Sequence, residues 1–563
     1  MSTSPESQQA LDLEIAKLEQ DLITLKRRRN GLSPISQLPT ELMSRIFHLS
    51  LQFPEAKGWD RASIRHEDTR RSITHVSHGW RTVALEWPNF WSKIHIRDAT
   101  KVDYLDLVRK RAKDLPLSIE FYGGSAGYLN GTVGTPGVCH IFQVEAERLT
   151  SVVLYAPIKI LRSLLPKLTA CCNTLQFLAL AAPHTVGRNP VNPTQMDTFC
   201  NFPRLRRLDI TGWSTLFISP TSFNPTSLTT MEVSFFCVPA AHVTHAFFAS
   251  LRIVAHHLTT LTLAFILPNP LESESLGIAG TPPIDMPRLK FIILQSNGQG
   301  ILPALSSVIR IPSFIRDVHI VARQGASSQD ISLTLQDACT NIPSPDLLRI
   351  DKKVFPRDGT YNIDVDAFKR EGPLNSPWRA HSVFRLSFFP PPITERPSMA
   401  VEPYTFPVPL VTPTNWLFSA LRYLDLTFPF PVPFWKALAL VPTLKAIKYC
   451  VTHPDDAFFQ TLEEAIEADQ VGTDDGKFFP SLLNLFPTFQ QTGLSWDVEY
   501  AERLAILLLH KYQGKGSPYF ECLDFAGCSR HLDADTLRLL FSVSKTVCWN
   551  EMRLRFDCTA RVC

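Results

Sequence analysis

The features that usually announce chemistry are scarce in this 563-residue sequence. Its twelve cysteines are scattered, Cys171-Cys172 is the only adjacent pair, and no C-x-x-C or C-x-x-x-C spacing occurs. A structural zinc site therefore has no support. The glycines from Gly123 to Gly137 include no Gly-Lys-Ser/Thr and no lysine between them, so they predict a surface loop and not a phosphate cradle. The letters G-x-S-x-G do occur, as Gly123-Gly124-Ser125-Ala126-Gly127, but they fall in that predicted loop with no helix predicted to open at the serine, which a nucleophile elbow requires. His75-x-x-His78 falls on a predicted helix but has no third ligand at a useful spacing, and His242-x-x-His245 and His256-His257 fare no better. The acidic pairs Asp455-Asp456 and Asp474-Asp475 lack the alternating ligands of a calcium loop. We expect no metal, no cofactor and no catalytic residue.

Charge of one sign is missing as well. Lys and Arg total 56 against 53 Asp and Glu, for a net charge of +3, so nothing global points to nucleic acid or an anionic membrane. No run of 18 apolar residues exists; Phe428 to Val441 comes nearest and is broken by Pro429, Pro431, Pro433 and Lys436. Met1 to Ala10 is polar, without the apolar core of a signal peptide, and Cys563 is too close to the end for a prenylation box. The expectation is a cytoplasmic or nuclear protein with reduced cysteines.

What is present is the composition of a folded chain, 45% hydrophobic, at a length that exceeds one growing core. Forty-four prolines punctuate many short apolar runs. Over Ser7 to Asn30, Leu11, Ile15, Leu18, Leu22 and Leu25 follow 4-3-4-3 spacing, which predicts a helix ended by Gly31. Two readings stand for that stripe over residues 11–25: a short coiled coil through which the chain self-associates, or a helix packed on its own protein. The basic cluster Lys26-Arg27-Arg28-Arg29 reads as the solvated C-terminal end of that helix, with a nuclear localisation signal as the alternative.

Two short patterns follow. Leu38-Pro39-Thr40-Glu41-Leu42 leads into Ile46-Phe47, and a helix is predicted from Leu38 to Leu51 with Leu42, Ile46 and Leu49 on one face. Phe53 to Arg70 is charged and aperiodic, so it predicts a loop. A second helix is predicted from about Thr69 to Glu86 through Ile73, Val76, Trp80 and Val83-Ala84, stopped by Pro88 in Trp87-Pro88-Asn89-Phe90-Trp91. Helices of this size bury too little surface to stand alone. Their apolar residues serve either as a docking patch or as a helical cap on the rest of the chain.

Strands are predicted at Lys93 to Ile96 and Leu117 to Phe121, with a helix near Val102 to Ala112 between them. Then apolar-x-x-apolar-x-apolar recurs eleven times. Seven copies, Leu149/Val152/Leu154, Leu175/Leu178/Leu180, Leu205/Leu208/Ile210, Leu228/Met231/Val233, Leu258/Leu261/Leu263, Leu289/Ile292/Leu294 and Ile315/Val318/Ile320, start 23 to 31 residues apart. Val383/Leu386/Phe388, Leu421/Leu424/Leu426, Leu444/Ile447/Tyr449 and Phe520/Leu523/Phe525 follow. The pattern lapses near 321–382, where Leu347/Ile350 is a poor copy, and again in the proline-rich stretch near 390–415; Asp469 to Gly476 reads as a polar loop. Strand-plus-return units of this kind bury their apolar faces by stacking. On the recognition face of such a stack, side chains between the leucines would point outward, including Arg207, Asp209, Thr230, Glu232, Phe291, Ile293, Tyr423 and Asp425. Their mixture of charge and aromatic character suits a protein target better than a uniform polyanion, and an ordinary solvent-facing sheet is the alternative.

The ordered set Leu38-Pro39-x-Glu41-Leu42 with Ile46-Phe47, then Val76-Ser77-x-x-Trp80-Arg81, Ala84 and Trp87-Pro88-Asn89-Phe90-Trp91, resembles the F-box of fungal F-box-like proteins. Those proteins carry a leading heptad helix and an irregular leucine-rich-repeat-like continuation. The resemblance implies an α/β fold class in three parts: a helix over 1–31, an F-box-like domain over 32–92, and an irregular leucine-rich-repeat-like solenoid over 93–563. It implies docking on a Skp-type adaptor of a cullin–RING ubiquitin ligase. Leu38, Pro39 and Ile46 would present contacts to the adaptor; Leu42, Phe47 and Trp80 belong to the same docking module, with Leu42, Val76 and Trp80 holding its helices together. The implied function is a non-enzymatic subunit that binds a target protein through the repeats. The alternative is a repeat scaffold, dimeric through the N-terminal helix, with no ligase role.

Overall fold

In the computed structural model, the described residues are 5–51, 59–97, 100–123, 135–182, 195–196, 202–212, 217–218, 227–236, 241–266, 281–297, 300–322, 330–331, 333–335, 345, 347–354, 361–369, 381–388, 416–451, 457–471, 479–489, 497–512, 519–525, 533–549 and 552–555. The chain divides into two compact units, Met1–Leu228 and Thr229–Cys563. The protein is mixed α/β with largely parallel sheets. No helix among the described residues is long and apolar enough to cross a membrane.

The first unit opens with helices α1 (Pro5–Gly31), α2 (Thr40–Leu51), α3 (Trp59–Val76) and α4 (His78–Glu86). The loop expected over Phe53 to Arg70 is for its most part α3, since a charged, aperiodic sequence still forms a helix when its last turns find tertiary contacts. The single helix expected from Thr69 to Glu86 is broken at Ser77. That residue turns extended (φ −156°, ψ 167°), and its hydroxyl caps the new helix by accepting from Trp80 N–H. His75 and His78 therefore sit on different helices and share no helix face.

Five strands follow, β1 (Lys93–Arg97), β2 (Leu117–Tyr122), β3 (Leu149–Tyr155), β4 (Phe177–Ala181) and β5 (Arg207–Thr211), paired parallel in chain order. Their connections include α5 (Val102–Arg111), α6 (Thr135–Val144) and α7 (Ile158–Leu164). The register explains the repeat. Ile94, Ile119, Val152, Leu178 and Leu208 form one unbroken row, and Ile96, Phe121, Leu154, Leu180 and Ile210 form the next, all buried. The predicted loop ends earlier than its last glycine. Gly137 lies inside α6, where a Cβ would come within 2.9 Å of Leu105 Cδ1, so glycine allows α5 and α6 to close up. Residues 124–134 are outside the described set.

Among the described residues, thirteen strands of the second unit belong to its main sheet. The first four, β6 (Thr230–Phe235), β7 (Thr260–Phe265), β8 (Phe291–Ser296) and β9 (Asp317–Ala322), are parallel neighbours in chain order. The chain order then inverts. β9 pairs with β12 (His381–Phe388), β12 with β11 (Tyr361–Lys369), β11 with β10 (Leu347–Val354), and β10 with β13 (Tyr423–Leu426). β11 runs antiparallel to both neighbours, which is where the sequence period lapses. Its buried Ile363, Val365 and Ala367 alternate at period two, the signature of a plain hairpin strand and not of the repeat. Parallel pairing resumes through β14 (Ala446–Val451), β15 (Asn484–Phe489), β16 (Cys522–Phe525) and β17 (Thr546–Trp549), and β18 (Met552–Arg555) closes antiparallel.

All eleven recurring motifs end on strands: β3 to β9, β12, β13, β14 and β16. In ten of them every apolar position is buried; the side chains of the eleventh, on β12, lie outside the described set. Helices α8 (Ala241–Val254), α9 (Ile301–Val308), α10 (Val432–Ala439), α11 (Ala457–Val471), α12 (Asp497–Tyr512) and α13 (Ala534–Val543) occupy connections in this unit. The expected polar loop at Asp469 begins inside α11, while residues 472–478 and the proline-rich stretch 389–415 lie outside the described residues.

Candidate functional site

Two surfaces collect the residues singled out by the sequence. The first is the short helical segment before β1, built around α2, which has two apolar faces. Met43 and Phe47, one turn apart, point inward. The Phe47 ring lies 5.2 Å from Trp80 and 6.0 Å from Phe90, and Phe90 lies 5.3 Å from Trp91. Trp91 donates its indole N–H to Ala84 O at 2.7 Å. Arg70, itself buried, packs over Phe90 and Trp91 and donates to Lys93 O at 2.7 Å, which ties this aromatic core to β1.

The other face of α2 points away. Leu42 is 48% exposed and Leu49 57%, with Ile46 half-buried between them, while Pro39 is exposed and Leu38 half-buried just upstream. Val76 is 55% exposed. Leu42 and Val76, expected to hold helices together, are therefore surface residues. Phe47, expected among the docking contacts, is fully buried and supplies core packing. Trp80, half-buried against Phe47, does join α4 to α2. Periodicity identifies a shared face but not which of two apolar faces turns inward; the aromatic partners Phe90 and Trp91 decide that. On α1, Leu11, Ile15, Leu18, Leu22 and Leu25 are each more than half exposed, so the stripe does not pack on the described part of its own chain.

The second surface is the outward side of the strands. In the first unit Arg207 holds Asp209 in a two-point ion pair, Nη2 to Oδ2 at 2.8 Å and Nε to Oδ1 at 3.0 Å, and the guanidinium stacks over Phe177. Asp209 is buried. This pair serves the sheet itself.

In the second unit one register row crosses the sheet: Glu232, Thr262, Ile293, His319, Arg385, Asp366, Arg349, Asp425, Lys448 and Phe486. Signs alternate from Asp366 through Arg349 and Asp425 to Lys448, which neutralises charge across neighbouring strands. Asp425 is buried between Arg349 at 3.9 Å and Lys448 at 3.8 Å. His319 Nε2 lies 3.0 Å from Ser387 Oγ. Farther along, burial raises the Asp524 carboxyl, and Lys448 offsets this only in part. Glu232 and Tyr423 are half-buried and Phe291 is 40% exposed. Phe291 and Tyr423 are five strand steps apart, about 24 Å at ~4.8 Å per step, so they do not form one compact site. Arg349, Lys448 and His319 were missed by the sequence reading, although each sits between inward apolar neighbours as the chosen residues do.

Among the described residues no three His, Cys, Asp or Glu side chains gather as a metal site. No protein-family model matches the chain, and no curated protein matches it.

Proposed function

We propose that the chain is a non-catalytic recognition subunit: its N-terminal helical segment docks in F-box fashion on a Skp-type adaptor, and its strand-repeat region, a leucine-rich-repeat-like solenoid, binds a target protein. Ubiquitin transfer then belongs to the partner subunits. The observation that supports this reading most is the double-faced α2. Met43 and Phe47 satisfy the segment's own core, while Leu42 and Leu49 stay exposed with Ile46 beside them. A small helix set with a completed core has no internal use for that second face, and an exposed apolar helix face suits a partner's groove. The test is a pull-down of the full chain with a Skp-type adaptor. Wild type binds, and the Leu38→Ala, Ile46→Ala double variant loses at least about tenfold in affinity, or 1.4 kcal/mol, without a change in melting temperature. A wild-type chain that fails to bind, or a double variant that binds equally well, ends the proposal.

A second reading, a self-associating scaffold, is favoured by the exposed stripe of α1. The 4-3-4-3 spacing puts Ile15 and Leu22 at a positions and Leu11, Leu18 and Leu25 at d positions. Charge is segregated along the helix, with Asp12, Glu14, Glu19 and Asp21 ahead of Lys26 to Arg29. An antiparallel pair sets Asp12 against Lys26 and Glu14 against Arg28 of a second copy but Glu19 and Asp21 against themselves, and a parallel pair sets Glu14 against Glu19 but Asp21 against Lys26, so charge does not select the direction. Sedimentation of the full chain distinguishes the readings. A dimer that Leu18→Asp with Leu22→Asp converts to monomer supports association; a monomeric wild type removes it.

A further inference from the structure

In the first unit, α3, α4, β1 and α5 line a cavity of about 700 Å³ that is strongly basic. Arg70, Arg71, Arg81, Arg97, Lys101 and Arg111 line it, against the single carboxylate of Glu67. That carboxylate is already engaged: Arg70 Nη1 lies 3.2 Å from Oε2, and Tyr104 donates its hydroxyl to Oε1 at 2.7 Å. Burial and the neighbouring Glu67 raise the Tyr104 phenol to about 12, so it remains a neutral donor. Arg70 also has a structural task, its bond to Lys93 O. Arg71, Arg81, Lys101 and Arg111 are less committed. Among the described residues no carboxylate stands within ion-pair distance of Arg71, Arg81, Lys101 or Arg111. Arg81 spends one N–H on Thr74 O. Arg111 stacks on Trp91, with its guanidinium carbon 4.6 Å from the ring centre. Burial also lowers the pKa of Arg111, as expected of a cation partly stripped of water.

Four cations without a carboxylate partner around one cavity repel each other, and the partial dehydration of Arg111 adds to the cost, so the arrangement favours an anion between them. Guanidinium forks match the paired oxygens of phosphate, and a volume of this order fits a small molecule more readily than a single phosphate ion. We infer that this cavity is a binding site for a small molecule bearing two or more phosphate groups, held by Arg71, Arg81, Lys101 and Arg111 with the Trp91 and Tyr104 rings as walls. The inference does not depend on adaptor docking, since the cavity lining omits Leu38, Leu42 and Ile46.

Isothermal titration of the full chain with tripolyphosphate, at low salt and again at physiological salt, tests it. Wild type binds at one site per chain and more weakly as salt rises. Arg71→Gln with Arg111→Gln weakens binding at least about tenfold, Arg111→Lys recovers part of the loss, and Arg538→Gln, an exposed arginine of the other unit, changes nothing. Circular dichroism confirms that each variant is folded. Absence of wild-type binding, equal affinity in the double variant, or citrate binding as tightly as tripolyphosphate overturns the phosphate site. A single-stranded oligonucleotide that binds tighter than tripolyphosphate, over several nucleotides, also overturns it.

Discussion

Replacing Glu120 by Gln probes the polar contact on the outward side of β1 and β2. The carboxylate is 15% exposed, 2.5 Å from Lys93 Nζ through Oε1 and 3.1 Å from His95 Nδ1 through Oε2, and Tyr122 donates its hydroxyl at 3.1 Å. Burial alone would raise its pKa, but the hydrogen bond from His95 and the charges of His95 and Lys93 outweigh burial and hold it at about 2, down from 4.5. At 1.36 kcal/mol per unit that shift is worth ~3 kcal/mol. Burial lowers the His95 pKa despite Glu120, so His95 is largely neutral at pH 7 and only the Lys93 share operates there. Lys93 is 44% exposed and screened by solvent, which reduces the expected contribution to about 1–2 kcal/mol at neutral pH. The signs are fixed by linkage. Glu120 is depressed in the fold, so its stabilisation is complete above pH 4.5 and disappears as pH falls toward 2. His95 is also depressed, so the unfolded chain takes up a proton below 6.5 before the fold does, and acidification there costs stability. Hydrogen exchange of amides in β1 and β2, measured from pH 7 downward with intrinsic rates corrected, reads the local opening energy. Glu120→Gln opens more easily at pH 7 and converges with wild type near pH 2; His95→Gln flattens the wild-type decline below pH 6.5. A Glu120→Gln deficit that is absent at pH 7, or constant down to pH 2, refutes the reasoning.

Three further changes test the packing. Phe47→Ala removes a ring buried between Trp80 and Phe90 and should cost about 3–5 kcal/mol, whereas Leu42→Ala on the exposed face should stay within about 0.5 kcal/mol; urea melts of the first unit's transition separate them. Ser77→Ala deletes the cap that starts α4 and should cost about 1 kcal/mol, while Ser77→Asp should retain most of it. Tyr449 and Tyr500 hydroxyls lie 2.8 Å apart in the second unit's core, so either Tyr→Phe change should cost about 1 kcal/mol and the double change less than the sum, as a double-mutant cycle would show.

The repeats were legible because stacking makes every copy solve the same problem. Val152, Leu178 and Leu208 must occupy adjacent rungs of one row, so each copy keeps the same two inward positions and even a loose motif aligns. The inverted order of β10 to β12 left no such trace. Val383, Leu386 and Phe388 match the motif, yet β12 takes the place beside β9, while the intervening β10 and β11 fill the gap back to β13. Nothing within a strand encodes which non-adjacent strand it joins. α3 was misread for a different reason: its pattern is polar, and its docking depends on Arg70 reaching Lys93 O, a contact across 23 residues that no local period records. The charged row was likewise hidden, because Arg349 meets Asp425 only through pairing between β10 and β13.

The same limit bears on the proposed docking surface. Leu42, Ile46 and Leu49 on one side of α2, and Met43 and Phe47 on the other, give the helix more apolar surface than one interface needs. Sequence alone ranks the two sides equally. The aromatic residues after α4 break the tie: Phe90 packs at a tilt against Phe47, Trp91 donates to Ala84 O, and Arg70 joins that cluster to the first strand. Once that side is committed to the sheet, the outer side has no remaining task in folding the segment. Keeping leucines there exposes apolar surface to water without a compensating internal contact. On the proposed reading a bound partner restores the balance, by presenting an apolar groove wide enough for successive turns of one helix.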